Sequence, residues 1–179
     1  MPREGIGGTS GGPLTAGEHL PCRRFVQGKR LSLAAAYRPR YGRRLTVRLI
    51  PGYQHKAFAR LEKRRFFGGP FEIASQSDRM GYRLLGNCIG YDGDPIVSEG
   101  ICPGAVQVPP DGNPIVLLND RQTIGGYPKI GAALPADLAM LGQMAPGGEL
   151  VFAPVTPHTA RRAREGLRRY LTQTPLANA

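Results

Sequence analysis

A mainly β fold, barrel or sandwich, is what this sequence predicts. Three observations carry that expectation. Glycine (25) and proline (17) are abundant in 179 residues, runs with helical period are few, and short β-rich runs alternate with turn signals. The length suits one domain with an N-terminal extension and is enough to bury a core.

Residues 1–44 read as a Gly/Arg-rich linker and edge segment, 45–155 as the barrel domain, and 156–179 as a C-terminal helix and tail. Leu31–Tyr37 has the composition of a strand, and Arg38-Pro39-Arg40-Tyr41-Gly42 breaks any helix. Leu45–Ile50 alternates as a strand. Gln54–Phe67, with Phe58 and Leu61 among strong helix formers, predicts a short amphipathic helix. Further strands are expected at Phe71–Ser75, Tyr82–Gly86, Ala105–Val108, Ile115–Asn119 and Leu150–Pro154. Pro135 opens a brief helix at a permitted first-turn position. Pro157–Leu171 is a second one, with Thr156 as N-cap. No internal repeat or heptad pattern is present.

The formal charge of +11 raises a nucleic-acid reading, since 14 of the 24 basic residues lie between Arg23 and Arg65. Arg161, Arg162, Arg164, Arg168 and Arg169 form a second cluster. No nucleic-acid module or aromatic stacking platform accompanies them, so solvated arginine faces are the preferred explanation. No apolar run spans a bilayer, and Met1-Pro2-Arg3-Glu4-Gly5 resembles no signal peptide, which makes a cytoplasmic location the default. Cys22, Cys88 and Cys102 are an odd count at wide spacing, expected as free thiols rather than a disulfide framework or zinc site. His19, His55 and His158 are isolated, so no metal site is expected. There is no G-x-S-x-G elbow, no complete P-loop around Gly28-Lys29-Arg30, and no biotin-attachment lysine.

Two loops gather the convergent polar groups. In Gln76-Ser77-Asp78-Arg79-Met80-Gly81, with Arg83 beyond, Asp78 can accept protons and Arg79 or Arg83 can grip a carboxylate through a guanidinium fork. The same residues equally make a turn in which Asp78 caps backbone N–H groups. Gly104–Gly131 holds the richer set. It exits an apolar run, Ile115-Val116-Leu117-Leu118, into Asn119, Asp120, Arg121, Gln122 and Thr123, then Gly125-Gly126-Tyr127 and Lys129. Asp120 is a candidate general base, Arg121 and Lys129 charge stabilisers, and the Gly125 and Gly126 amides oxyanion donors. Alternatively Asp120 and Arg121 are a structural ion pair, Lys129 a surface lysine, Gln122 a loop tie, and Tyr127 either a pocket wall or barrel core.

The block GAVQVPPDGNPIVLLNDRQTIGGYPKIG resembles a signature of the biotin-dependent carboxyltransferase family that includes allophanate hydrolase subunit 2 and the C subunit of 5-oxoprolinase. A second block agrees: Leu49-Ile50-Pro51-Gly52-Tyr53-Gln54, then Phe66-Phe67, then Ser75-Gln76-Ser77-Asp78-Arg79-Met80-Gly81-Tyr82-Arg83-Leu84. The likeness covers about Gly5 to Val155, and Ile124 departs from the family's usual threonine. It implies a cyclophilin-like β-barrel with two or three short helices. It also implies a subunit of an ATP-dependent 5-oxoprolinase, opening the lactam of 5-oxoproline to glutamate, or a related carboxyltransferase using carboxybiotin. On that resemblance the catalytic residues would be Asp120, Lys129 and Asp78. Gln76, Ser77, Arg79, Arg83, Arg121, Gln122, Gly125, Gly126 and Tyr127 would bind a small amide substrate. The T-V-Q-D and S-G-A-M-D elements of the family's first half do not occur here, so the chain is expected to correspond to the second half only. The expected partners are that first half and a companion resembling allophanate hydrolase subunit 1 or the B subunit of 5-oxoprolinase. ATP or carboxybiotin would be carried elsewhere, with activity only in the complex. The competing expectations are a non-catalytic module that binds a kinase-inhibitor-like companion, and an inactive truncated relative.

Overall fold

The structure, a computed structural model, describes residue 5, residues 8–23, residue 28 and residues 31–178. Met1–Glu4, read above for a leader, and Arg24, Lys29 and Arg30 of the basic stretch lie outside the described residues. The chain divides into two compact units, Met1–Ala36 with Pro175–Ala179, and Tyr37–Thr174. In the smaller unit β1 (Leu31–Leu33) pairs antiparallel with β11 (Leu176–Asn178). The strand expected over Leu31–Tyr37 thus stops early, and a 3-10 turn follows at Ala35–Tyr37.

The larger unit runs β2 (Arg44–Pro51), a 3-10 turn (Tyr53–Ala57), α1 (Arg60–Gly68), β3 (Phe71–Ile73) and β4 (Gly81–Leu85). Next come β5 (Glu99–Gly100), β6 (Ala105–Gln107), β7 (Ile115–Leu117), β8 (Ile124–Gly125) and β9 (Lys129–Ala133). It ends with α2 (Pro135–Leu141), β10 (Glu149–Pro154) and α3 (Pro157–Gln173). Among the described residues, seven strands close a barrel in the order β10-β2-β9-β6-β7-β4-β3, so the fold is mainly β with helices packed outside it. Every neighbouring pair is antiparallel except β10 and β2, which run parallel from Glu149↔Arg44 to Pro154↔Leu49. The two-residue strands β5 and β8 form a separate ribbon.

Alternation fixes the core face of these strands. Val47 and Leu49 of β2 point inward, as do Leu150 and Phe152 of β10. Phe66 of α1 stacks on Phe152 with centroids 4.5 Å apart, and Phe71 meets both rings at 5.7 and 5.9 Å, so one aromatic cluster joins helix to barrel.

Two further segments depart from expectation. The single helix predicted over Gln54–Phe67 is broken, because Phe58 adopts an extended conformation that buries its ring against Tyr91 at 5.0 Å. Strand β9 has no counterpart among the expected strands, since Lys-Ile-Gly-Ala-Ala has little β propensity. It exists because Gly131 lets β2 approach; a Cβ there would sit 2.5 Å from the Ile50 carbonyl oxygen and collide with the Leu49 side chain. The C-terminal helix expected over Pro157–Leu171 is α3, in the same compact unit as the barrel. Its cap is Thr156, whose hydroxyl accepts from the Thr159 N–H at 3.2 Å.

Part of the basic stretch is engaged inside this unit. Arg44 pairs with Glu149 at 2.9 Å, and Arg65 with the buried Glu62 at 2.8 Å. Arg48 of β2 grips Asp137 of α2 through Nη2 at 2.6 Å and Nε at 3.0 Å, while its backbone N–H donates to the same carboxylate at 2.7 Å.

Candidate functional site

Asp78 starts the site as a turn cap. Its Oδ1 accepts from the N–H groups of Met80 at 2.8 Å and Gly81 at 3.3 Å, and its own N–H donates to the Gly81 carbonyl at 3.2 Å. The turn sets Arg79 outward beside the end of β7. There its guanidinium forks onto Asp120, Nε to Oδ2 at 3.0 Å and Nη2 to Oδ1 at 3.3 Å. Backbone bonds join the same segments, Leu118 N–H to Met80 O at 2.9 Å and Asp120 N–H to Arg79 O at 3.1 Å. The loop after β3 and the loop after β7 therefore share one rim.

That rim borders a cavity of about 650 Å³, a size suited to a small ligand. Ser77, Asp78, Arg79 and Asn119 supply its polar edge; Tyr82 and Leu118 from the barrel and Pro135, Leu138 and Ala139 from α2 supply its apolar wall. Among the described residues, Ser77 Oγ is buried without a hydrogen-bond partner. The Arg48–Asp137 contact is what seats α2, and hence that wall, against β2.

The other expected site residues are not all at this rim. Arg121 holds the loop, donating from Nε to Ile101 O at 3.2 Å and from Nη1 to Leu118 O at 3.3 Å. Arg83 forks onto Asp111 at 2.9 and 3.0 Å, in the turn between β6 and β7. Desolvation works against ionised Asp111, but hydrogen bonds from the Asn113 side chain and backbone, with the Arg83 charge, keep its carboxyl below the usual range. Gln76 and Gln122 are exposed. Tyr127 is also exposed, so of its two expected placements the barrel core does not apply.

Lys129, Gly125 and Gly126 lie at the far end of the loop. In the β6–β9 pair Ala105 faces Ala132 near the rim, whereas Gln107 faces Lys129 at the opposite end. Lys129 forms an ion pair with Glu99, which stands opposite Gly125 in the β5–β8 ribbon. Gln54 donates from Nε2 to the same Glu99 Oε1 at 2.6 Å. The Lys129 hydrogen bond lowers the Glu99 carboxyl below its ordinary value, against desolvation and aided by Gln54 and the Lys129 charge. Sequence reasoning assigns no role to Gln54, Glu99 or Gln107. The available signal is Gln107 itself, a polar residue between Val106 and Val108 on a strand buried along its whole length.

Residues 1–154 match the family described as carboxyltransferase domain, subdomain A and B, and the chain belongs to that family. It is 39% identical over 172 residues to the C subunit of 5-oxoprolinase from Escherichia coli K12, covering 94% of this chain and 54% of that protein. The Haemophilus influenzae protein of the same name is 36% identical over 174 residues, again with 54% of its length covered. The chain thus spans about half the length of these relatives. A crystal structure of the K. lactis urea amidolyase superposes with a TM-score of 0.73 at 18% identity, over 80% of this chain and 9% of that one, a likeness of fold. Among the described residues, no helix is long and apolar enough to cross a membrane.

Proposed function

We propose that this chain is part of a 5-oxoprolinase subunit, taking part in opening the lactam of 5-oxoproline within a larger assembly. The observation that carries this reading is the 39% identity, across nearly the whole chain, to the C subunit of a 5-oxoprolinase. The rim supplies chemistry that suits it. A substrate carboxylate competes with Asp120 for the Arg79 fork, and Asp120, released from that pair, accepts the proton of the attacking water. Ser77 Oγ offers a hydrogen bond to the bound ring. The cavity does not fit a nucleoside triphosphate, because among the described residues its lining holds one cation, Arg79, already bridged to Asp120. We assign ATP use, or a carboxylated carrier if the reaction is a transfer, to companion polypeptides, including one like the B subunit of 5-oxoprolinase.

The test is 5-oxoproline hydrolysis with ATP by the purified chain, alone and combined with companion subunits and a family N-terminal half. Turnover only on reconstitution is expected. Robust turnover by the chain alone removes the dependence on partners. Silence in every mixture shifts the weight to a non-catalytic binding module.

A further inference from the structure

Helix α2 borders more than the rim cavity. Pro135, Leu138, Ala139 and Gly142 recur at helical spacing along that cavity, whereas Met140 lies on another side of the helix. Beyond it a groove of about 520 Å³ runs between residues 41–43, just before β2, and the loop 143–148 that leads into β10. A recess of about 40 Å³, lined by Leu45 and Met140, adjoins the groove and shares Tyr41, Gly42 and Met144 with it. No residue of the rim cavity lines either space.

The groove is one-sided in charge. Arg40, Arg43 and Arg44 line the two spaces together, and among the described residues no acid does. Arg44 is offset by Glu149 at 2.9 Å. Arg43 has a 3.4 Å hydrogen bond from Nη2 to the Gly147 carbonyl, and among the described residues neither it nor Arg40 has an ion pair. Two guanidinium forks are therefore open to carboxylate or phosphate oxygens. Beside them Tyr41 is 58% exposed, and Met140, Met144 and Pro146 add apolar surface, the thioethers being of a kind that adapts to a ring. A bare anion would leave that apolar surface in water, and a neutral ring would leave the two charges unanswered. A ligand carrying both features satisfies the groove.

We propose that this groove is a second ligand site, separate from the rim, for a small aromatic anion. Arg40 and Arg43 hold its carboxylate or phosphate, and its ring lies against Tyr41 and Met144. Binding is non-covalent, and the site stands whichever reaction the rim carries.

The test follows backbone amide signals of the full 179-residue chain by NMR. The ligands are 3-phenylpropanoate, its neutral amide 3-phenylpropanamide, and acetate. Saturable shifts at Gly42, Arg43, Gly147 and Gly148 are expected with 3-phenylpropanoate. Its binding should be at least about tenfold tighter than that of acetate, which lacks the ring, or of the amide, which lacks the charge. Arg40→Gln and Arg43→Gln each weaken 3-phenylpropanoate about fivefold and leave the amide alone. Tyr41→Ser brings 3-phenylpropanoate down towards acetate and leaves acetate alone. All three side chains are exposed, so these variants keep the fold, which an unchanged melting temperature checks. Phenyl phosphate separates the two head groups, since the tighter of it and 3-phenylpropanoate names the anion that the site takes. Acetate or the amide binding as tightly as 3-phenylpropanoate overturns the site. So does indifference to both arginine variants, which would mean a diffuse response to the net charge of +11. Shifts confined to Ser77 and Asn119 at the rim, with the groove silent, overturn it as well.

Discussion

The two polar regions of this barrel differ in how they treat their own charges. At the rim, Arg79 and Asp120 meet in the open, with side chains 83% and 39% exposed, and each is the other's partner. At the far end of β9, Lys129 is 13% exposed, its partner Glu99 is shared with Gln54, and two amide atoms have no partner among the described residues. An exposed pair is easily exchanged for a ligand, since water screens what is lost. A cluster whose lysine and two open amide atoms are buried, with Glu99 alone reaching water, cannot rearrange so cheaply and holds a fixed pattern. The first region is suited to chemistry that makes and breaks ion pairs, the second to recognition by shape and hydrogen bonding.

Asp120→Asn gives the largest expected effect and tests the first half of that contrast. In the reconstituted assembly turnover should fall by about 10²-fold or more, as for a lost general base. Stability should change by under about 1 kcal/mol, because the pair is exposed. Asp78→Ala is the counterpart: a lost turn cap costs roughly 0.5–2 kcal/mol of stability and little activity beyond that. Full activity of Asp120→Asn would end its assignment, and equal activity losses in the two variants would mean that both act only through the turn.

Asp137→Ala is expected next in size and asks whether the rim depends on its scaffold. The carboxylate receives three N–H donors from Arg48 and is itself buried. Its removal should cost about 2 kcal/mol, the range for hydrogen bonds to a charged group, read from urea unfolding. Because α2 forms one wall of the cavity, ligand binding at the rim should weaken while the Glu99 cluster, on other strands, keeps its NMR shifts. Shifts spreading to Glu99 and Gly125 would show that the two regions are not separable.

Much of the fold is legible in the sequence because burial in this barrel follows alternation. Six of the seven barrel strands can be read there, since β2, β3, β4, β6, β7 and β10 carry apolar side chains at the core positions. β9 cannot, because close packing on Leu49 demands Gly131 and small neighbours, and those erase the β signal. The β5–β8 ribbon is two residues per strand, too short for any period. The meeting of the Asp78 and Asp120 loops follows from strands that share a sheet, whereas the position of Lys129 does not. The loop from Asn119 to Pro128 leaves β7 at the Ala105 end of β6 and enters β9 at its Gln107 end, and a sequence reading treats neighbours in a loop as neighbours in space. Glu99 is invisible for a related reason: it lies outside any periodic run and gains meaning only when β5 meets β8.

The smallest expected effect isolates Glu99 by pH. Hydrogen bonding from Lys129, opposed by desolvation and helped by Gln54, holds its carboxyl below the ordinary value. A carboxylate whose folded value is depressed stabilises the fold above its unfolded value, about 4.3 for glutamate. That contribution is lost as pH falls through the lower folded value. Asp111 is depressed as well, so the acid limb of the native protein contains both groups. The difference between native protein and Glu99→Gln removes the Asp111 part, which is common to the two. Thermal melts from pH 7 to pH 3 should show that difference largest at pH 7 and shrinking below about 4.3. Its size should stay under about 1 kcal/mol, because water reaches the Glu99 side chain. A constant difference across the range would mean that the Glu99→Gln variant loses packing rather than charge, and that Lys129 does not depend on Glu99 as its counter-charge.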